Sequence, residues 1–384
     1  MGPVTYTYKN LQKRKAELER TPLYETCLQD LRNRADEIIS RPVAVVTDCP
    51  FTAVSGNKHD YITIGCYWWP NPDTPDGLPW ICKDGHVNPN NRNDQNFELV
   101  GPRVHILALA AFYFGEQKYI DYAVKQVYDW FLNPETCMNP HGRYAQAVPG
   151  VADGRHFGVI DFHVTPHLLN GIGILEEMGV LGEEIVSGVK NWYVQLTDWL
   201  LTDEMALIED MQVSNHGSWY DALILSAAYF TNRPKLAEKI YTTAYDERMK
   251  RQVRLDGSQP RELMRATGFD YSCFNLEALT VIATIAERYG YTQYWETDPD
   301  RGVCILKQAV DFLYPYTLDM SAFPYQELRP AEAFAQLVPL LRRLDAHFPG
   351  EGYAEKAVEV LEKSDCCPSA PEVVPLIMML TAAN

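Results

Sequence analysis

"FELVGPRVHILALAAFYFG", residues 97 to 115, is separated by Glu116 alone from "QKYIDYAVKQVYDWFL", residues 117 to 132. In both blocks apolar residues return at helical spacing, and Gly115 supplies the turn between them, so the pair predicts a helical hairpin. The same unit recurs along the chain. "GVIDFHVTPHLLNGIGILEEMG" with "GEEIVSGVKNWYVQLTDWLL" predicts a second hairpin, and "GSWYDALILSAAYF" with "PKLAEKIYTTAYDERMKRQV" a third. "SCFNLEALTVIATIAERYG" pairs with "GVCILKQAVDFLYPY", and "PAEAFAQLVPLLRRLD" with "GYAEKAVEVLEKS". With "LQKRKAEL" and "LYETCLQDLRNRADEIIS" ahead of them, the chain reads as six or seven hairpins, and no train of alternating residues predicts strands. Hairpins of this repeat length stack side by side and bury a common core, as an open solenoid or a closed toroid. The segments 49 to 96, 133 to 157 and 251 to 271 are long and polar-aromatic, whereas the turns at Gly115 and Gly179 are short. Long loops gathered on one rim of a rigid scaffold are where sites are built. The expected fold is therefore all-α, an (α/α) barrel of about six to seven helical hairpins whose long loops line a cleft, with residues 1 to 384 forming one domain.

Composition narrows the function classes. The chain has 384 residues, 46% of them hydrophobic, enough for a large core. Its formal net charge of −17 argues against general attraction to nucleic acid or to an anionic membrane, so any anionic ligand needs a local positive groove. No apolar stretch is read as approaching the roughly 20 residues that span a bilayer, and "MGPVTYTYKN" has no leader pattern, so a soluble protein without membrane insertion is expected. The nine cysteines, Cys27, Cys49, Cys66, Cys82, Cys137, Cys273, Cys304, Cys366 and Cys367, form no CxxC pair. Most read as small buried hydrophobes, with one or two disulfides expected if the protein is exported.

Four segments carry the chemistry. "GCYWWPNPDTPDGLPWICKDGHVNPNN" (65 to 91) gathers Tyr67, Trp68, Trp69 and Trp80 among five prolines. Any one ring is equally well a core anchor for the loop. Four together, flanked by Asn, Asp and His, suit a sugar platform, because pyranose faces are apolar and their edges need hydrogen bonds. "NPHGRYAQAVPGVADGRHFGVID" (139 to 161) brings His141, Arg143, Gln146, Arg155 and His156 into an otherwise acidic chain. Guanidinium groups bind carboxylates through paired hydrogen bonds, so this loop is a candidate positive field for an acidic sugar; surface charge and loop-fixing bonds are the alternative.

"SNHGSWYDAL" (214 to 223) opens a helix whose Trp219, Tyr220, Leu223 and Ala227 share one face with His216. Ser214 or Asn215 is a natural cap, which explains one residue but not the adjacent imidazole. A histidine at the positive end of a helix tends to stay neutral, and a neutral imidazole beside an amide can contact a carboxylate or abstract a proton. "DGSQPRELMRATGFDYSCFNLEAL" (256 to 279) supplies Arg261, Glu262, Arg265, Asp270 and Tyr271 ahead of a second apolar helix. Tyr271 falls in its first turn with Asp270 or Ser272 free to cap, and Glu262 with Arg265 makes an ordinary ion pair by spacing. If Arg265 instead points at the phenol of Tyr271, the cation lowers a pKa that starts near ~10, and the tyrosine can both take and return a proton.

Those groups fit one reaction. In a polymer of O4-linked uronic acids, β-elimination removes the C5 proton next to the carboxylate and expels the O4 glycoside. The carboxyl group must first be neutralised by positioned donors, and loss of one such donor typically costs ~10² to 10³ in rate. A base for C5 and an acid for O4 complete the set, and no metal or cofactor is required. The order of "CYWWPNP", "NPHGRYAQAVPG", "SNHGSW" and "DGSQPRELMRATGFDYSCFNLEAL" resembles the alginate lyase superfamily of α/α-barrel polysaccharide lyases, from about residue 60 to about 290. The resemblance implies that Asn215, His216 and Arg265 bind and neutralise the uronate carboxylate while Tyr271 is the catalytic acid. On mannuronate the C5 proton and leaving group are syn, and Tyr271 is base as well. On guluronate they are anti, and His216 becomes the candidate base. It also implies an acidic polysaccharide as partner and a periplasmic or secreted location, and leaves mannuronate, guluronate and glucuronate polymers open.

Two other classes stand beside this reading. A glycoside hydrolase on a similar barrel would use paired carboxylates, for which Asp210, Asp221, Glu262 and Asp270 are candidates. A non-catalytic glycan-binding protein would keep the aromatic platform and the arginines alone. "HVTPH" sets His163 and His167 at a zinc-chelating spacing, but Pro166 intervenes and only Asp161 is near, so no metal site is expected.

Overall fold

A computed structural model describes residues 2–364 and 375–383. The helices in chain order are α1 (Tyr8–Leu18), α2 (Tyr24–Ile39), α3 (Phe97–Phe114), α4 (Gln117–Phe131), α5 (Thr165–Glu177), α6 (Glu183–Leu200), α7 (Glu204–Asp210) and α8 (Asn215–Phe230). They continue with α9 (Pro234–Ala244), α10 (Pro260–Leu263), α11 (Gly268–Arg288), α12 (Ile305–Leu318), α13 (Pro330–Ala335), α14 (Leu337–His347), α15 (Tyr353–Glu362) and α16 (Pro375–Met378). The fold class is all-α. Of the expected hairpins, α3–α4, α8–α9, α11–α12 and α14–α15 pack as pairs, whereas α5 and α6 follow one another in the chain but pack on other helices, α5 on α3 and α6 on α4. The chain divides into two compact units, one of residues 1–2 and 33–211, the other of residues 3–32 and 212–384.

In the first unit α3 packs against α4 and α5, and α4 against α6. Gly171 makes the closest approach possible, because a Cβ there would lie 2.9 Å from the His105 Cα on α3. The core beside it is aromatic: Phe97 stacks on Trp192 at 6.1 Å and meets Phe162 edge-on at 4.9 Å. By length and composition α3 is apolar enough to cross a bilayer, with mean hydropathy 1.3 over 18 residues, which corrects the expectation that no stretch comes near that length. Its apolarity has a local cause, since 72% of it is buried inside the unit. Four strands, unforeseen because two to four residues carry no countable period, order the long loops. β1 (Ile62–Ile64) runs parallel to β4 (Tyr144–Ala147), and β2 (Trp68–Trp69) antiparallel to β3 (Ile81–Cys82).

In the second unit α8, α9 and α11 pack against one another, and α11 also meets α12, α13 and α14. The chain's first residues are fastened here: Arg288 donates to the carbonyls of Val4 at 2.8 Å and Tyr6 at 3.3 Å, and Arg14 to that of Met379 at 2.9 Å. The third hairpin departs from the predicted plain helix, for α9 runs on into a π-helical stretch, Tyr245–Lys250, a form often found near functional sites. The seven described cysteines are free thiols; Cys366 and Cys367 lie outside the described residues.

Candidate active site

Helix α8 starts without the cap expected of it. Ser214 takes the extended N-cap position but makes no side-chain cap bond. The first N–H groups of a helix need acceptors, and an acidic one suits the positive end of the dipole. Here the acceptor is the Glu262 carboxylate on α10, which takes the Asn215 backbone N–H at 2.7 Å and its Nδ2 at 2.6 Å. Asn215 and Glu262 are 1% and 2% exposed. Burial pushes the Glu262 carboxyl up, against the pull of the Asn215 bonds and of His216 and Arg265 nearby. The other end of the Asn215 amide, Oδ1, is buried with no hydrogen-bond partner.

The helix start is held from below and from the side. Arg248, in the π-helical stretch, donates Nε to Asp221 of α8 at 2.7 Å and Nη1 to the Gln212 carbonyl at 3.3 Å. Gly217 fits between them only because it lacks a side chain: a Cβ would lie 2.1 Å from the Gln212 oxygen and 2.9 Å from Arg248 Nη1. Gln252 accepts from Ser218 at 3.1 Å and from Asn275 at 2.8 Å, and Trp219 meets Phe274 at 5.0 Å. These contacts set the start of α8 beside the second turn of α11, and Tyr271 lies one turn earlier.

Tyr271 lies in that first turn of α11, its N–H bonded to the Thr267 carbonyl at 3.0 Å. The expected caps do other work: Ser272 Oγ donates to the Gly268 carbonyl at 2.7 Å, and the Asp270 carboxylate accepts from Gln336. Arg265 Nη2 donates to the Tyr271 hydroxyl at 2.9 Å, and the guanidinium lies 3.9 Å from the ring centroid. A cation against the phenol oxygen stabilises negative charge that develops on it. Arg265, Tyr271 and His216 are all half-buried, so the cluster of Asn215, His216, Glu262, Arg265 and Tyr271 joins a sealed base to an open face. Such a face can bind an anion and exchange a proton.

In the first unit, β2 and β3 carry the aromatic loop. Trp69 Nε1 donates to the His86 carbonyl at 2.9 Å with Lys83 Nζ 5.2 Å over its ring, and the Tyr67 carbonyl accepts from the Lys83 backbone N–H at 2.9 Å. Arg155 lies between the rings of Trp68 at 5.3 Å and Phe157 at 5.2 Å. It donates to both oxygens of Gln146, the backbone carbonyl at 2.9 Å and Oε1 at 3.0 Å. Gln146 has the left-handed φ of 50°, and its Nε2 donates to Asp161 at 2.9 Å. Asp161 is buried beneath it, its carboxyl pushed up by burial against bonds from Thr63, Gln146 and Tyr61. Gln146, Arg155 and Trp68 thus form one brace. Arg143 is not part of it and pairs with Asp203 at the start of α7. His163 Nδ1 faces the Ile160 carbonyl at 2.9 Å, and the ring of His167 lies 5.6 Å from that of His105.

Arg248 was not singled out by sequence, and Glu262 only as an ion-pair partner of Arg265 and as a candidate hydrolase carboxylate. The spacing of Glu262 from Arg265 suggested an ordinary ion pair, whereas both carboxylate oxygens receive Asn215.

A protein-family model described as alginate lyase matches residues 46–323. Among solved structures, an alginate lyase from Bacteroides ovatus is 32% identical, covers 98% of each chain and superposes with a TM-score of 0.87. A histidine variant of alginate lyase A1-III complexed with tetrasaccharide gives 0.54 at 15% identity over 88% of this chain and 86% of that one. Alginate lyase A1-III from Sphingomonas species A1 gives 0.50 at 14% over 89% and 88%. The last two likenesses concern the fold alone. No curated protein sequence matches the chain.

Proposed function

The chain belongs to the alginate lyase family of polysaccharide lyases, and from that premise we propose that it cleaves 1,4-linked uronate polymers, alginate first among them, by metal-independent β-elimination. Arg265, Asn215 and His216 hold and neutralise the uronate carboxylate, which makes the C5 proton removable. Tyr271 gives its proton to the departing O4. On mannuronate it also takes the C5 proton, because the two groups leave from one face; on guluronate His216 takes it from the opposite face. The observation that carries this reading is the 2.9 Å bond from Arg265 to the Tyr271 oxygen in a half-open cluster. A glucuronan or another polyuronate fits the same chemistry.

Hydrolysis is less well supported. It needs two carboxyl groups facing a glycosidic bond. In the second unit Asp221 is bound by Arg248, Asp270 by Gln336 and Glu262 by Asn215. Since the matched region, 46–323, takes in parts of both units, we read residues 1–384 as one lyase domain. A polymeric substrate favours a periplasmic or secreted enzyme, which fractionation of the source cells tests. The decisive experiment is an absorbance screen on mannuronate-rich, guluronate-rich and glucuronate polymers. Near-ultraviolet absorbance from a conjugated double bond is expected on at least one; new reducing ends without absorbance overturn the lyase mechanism.

A further inference from the structure

The geometry points to Glu262 as the positioning residue that decides which end of the Asn215 carboxamide meets the substrate, through a proton that Glu262 takes from solvent when the sugar carboxylate binds. The inference rests on the lyase reading and deepens it.

A carboxamide is two-ended: its oxygen only accepts and its nitrogen only donates. An anionic uronate needs donors. While Glu262 is ionised both its oxygens accept, so Asn215 turns Nδ2 toward it at 2.6 Å and leaves Oδ1, buried and unpartnered, as the remaining end. That end repels a carboxylate. Once Oε2 carries a proton, it donates to Oδ1, the amide turns through half a revolution, and Nδ2 stands where it can donate to the ligand. Oε1 accepts the Asn215 backbone N–H at 2.7 Å and remains free to do so when Oε2 is protonated, so the helix start need not move. One proton passes from solvent to Glu262, and no bond of the sugar changes.

The charges around Glu262 set the balance. Burial favours the protonated form, while the two Asn215 bonds, His216 on α8 and Arg265 just beyond α10 favour the anion. Tyr271 meets this group through Arg265. A bound uronate adds a negative charge beside the carboxyl and tips it toward the protonated form.

The test uses Tyr271→Phe, which is expected to bind oligouronate without cleaving it, titrated calorimetrically in buffers of different ionisation enthalpy. Uptake of one proton is expected, with the apparent Kd rising ~tenfold per pH unit once free Glu262 is ionised. In Glu262→Gln on that background the new amide donates permanently to Oδ1 and still accepts the backbone N–H, so the uptake disappears and Kd loses that slope. Glu262→Ala does neither and binds weakly at every pH. Unchanged uptake in Glu262→Gln overturns the proposal. Should that variant not fold, the infrared band of a buried protonated carboxyl must appear in the parent on ligand binding, and its absence is equally fatal. Product from the wild-type enzyme without linked uptake removes this inference alone. A wild-type enzyme that yields no unsaturated product removes the lyase reading, and this proposal with it.

Discussion

Arg265 and Arg155 each lie against an aromatic ring, and they put that position to different use. Arg265 covers Tyr271 at 3.9 Å and ends on its hydroxyl, a group able to hold or release a proton. Arg155 lies between Trp68 and Phe157 and ends on the oxygens of Gln146, one of them backbone. In the proposed mechanism the first cation conditions a reactive atom; the second fixes the path of a loop. Charge and aromatic company look alike in the two segments of sequence. What separates them is the atom on which the guanidinium ends.

The contrast can be broken most sharply at Tyr271. Tyr271→Phe keeps the ring under Arg265 and removes the proton carrier, so kcat on polyuronate should fall by ~10² to 10⁴ while oligouronate affinity holds. Initial rates from ultraviolet absorbance decide it, and normal turnover ends the assignment of the acid. Arg265→Lys keeps the charge but loses the planar fork that both covers the ring and reaches the hydroxyl; a loss of ~10² in kcat/KM is expected. A lysine variant with wild-type rates means that the guanidinium geometry is irrelevant. Arg155→Ala should act on stability instead, by about 1–3 kcal/mol of lost ring and hydrogen-bond contacts, seen as a fall in Tm with kcat changed less than about tenfold. Unchanged Tm with a raised KM moves Arg155 from brace to ligand. Smallest is Arg143→Ala, because an ion pair with a half-exposed arginine contributes about 0–1 kcal/mol; Tm should stay within error, and any rise in KM at low salt should vanish as salt is added.

The helical scaffold was legible where burial imposes a period, as in α4, and, for α3, α8 and α11, which are buried almost all round, from the length of the apolar run. The tie of Arg265 to Tyr271 was one of two readings open in the sequence, the other being an ion pair with Glu262, and six residues spanning a helix start do bring it within reach. The burial of Glu262 was not legible. The glutamate of "PREL" reads as an ion-pair partner of Arg265 or a hydrolase carboxylate, and its burial depends on a partner that only the tertiary arrangement supplies. Nor could the sequence say that Asp270 leaves the capping of α11, because its partner, Gln336, is supplied by the tertiary arrangement; Ser272 instead bonds back to the Gly268 carbonyl within the same helix.

Helix α8 begins on a donor whose acceptor arrives 47 residues later in the chain. During synthesis α8 can therefore coil before its first bond exists, and its opening turn must fray until residue 262 has left the ribosome and the intervening loop has closed. The amide hydrogen of Asn215 is a clock for that closure: its exchange with solvent should slow only when Glu262 has docked on the start of α8, and not when the helix itself has formed.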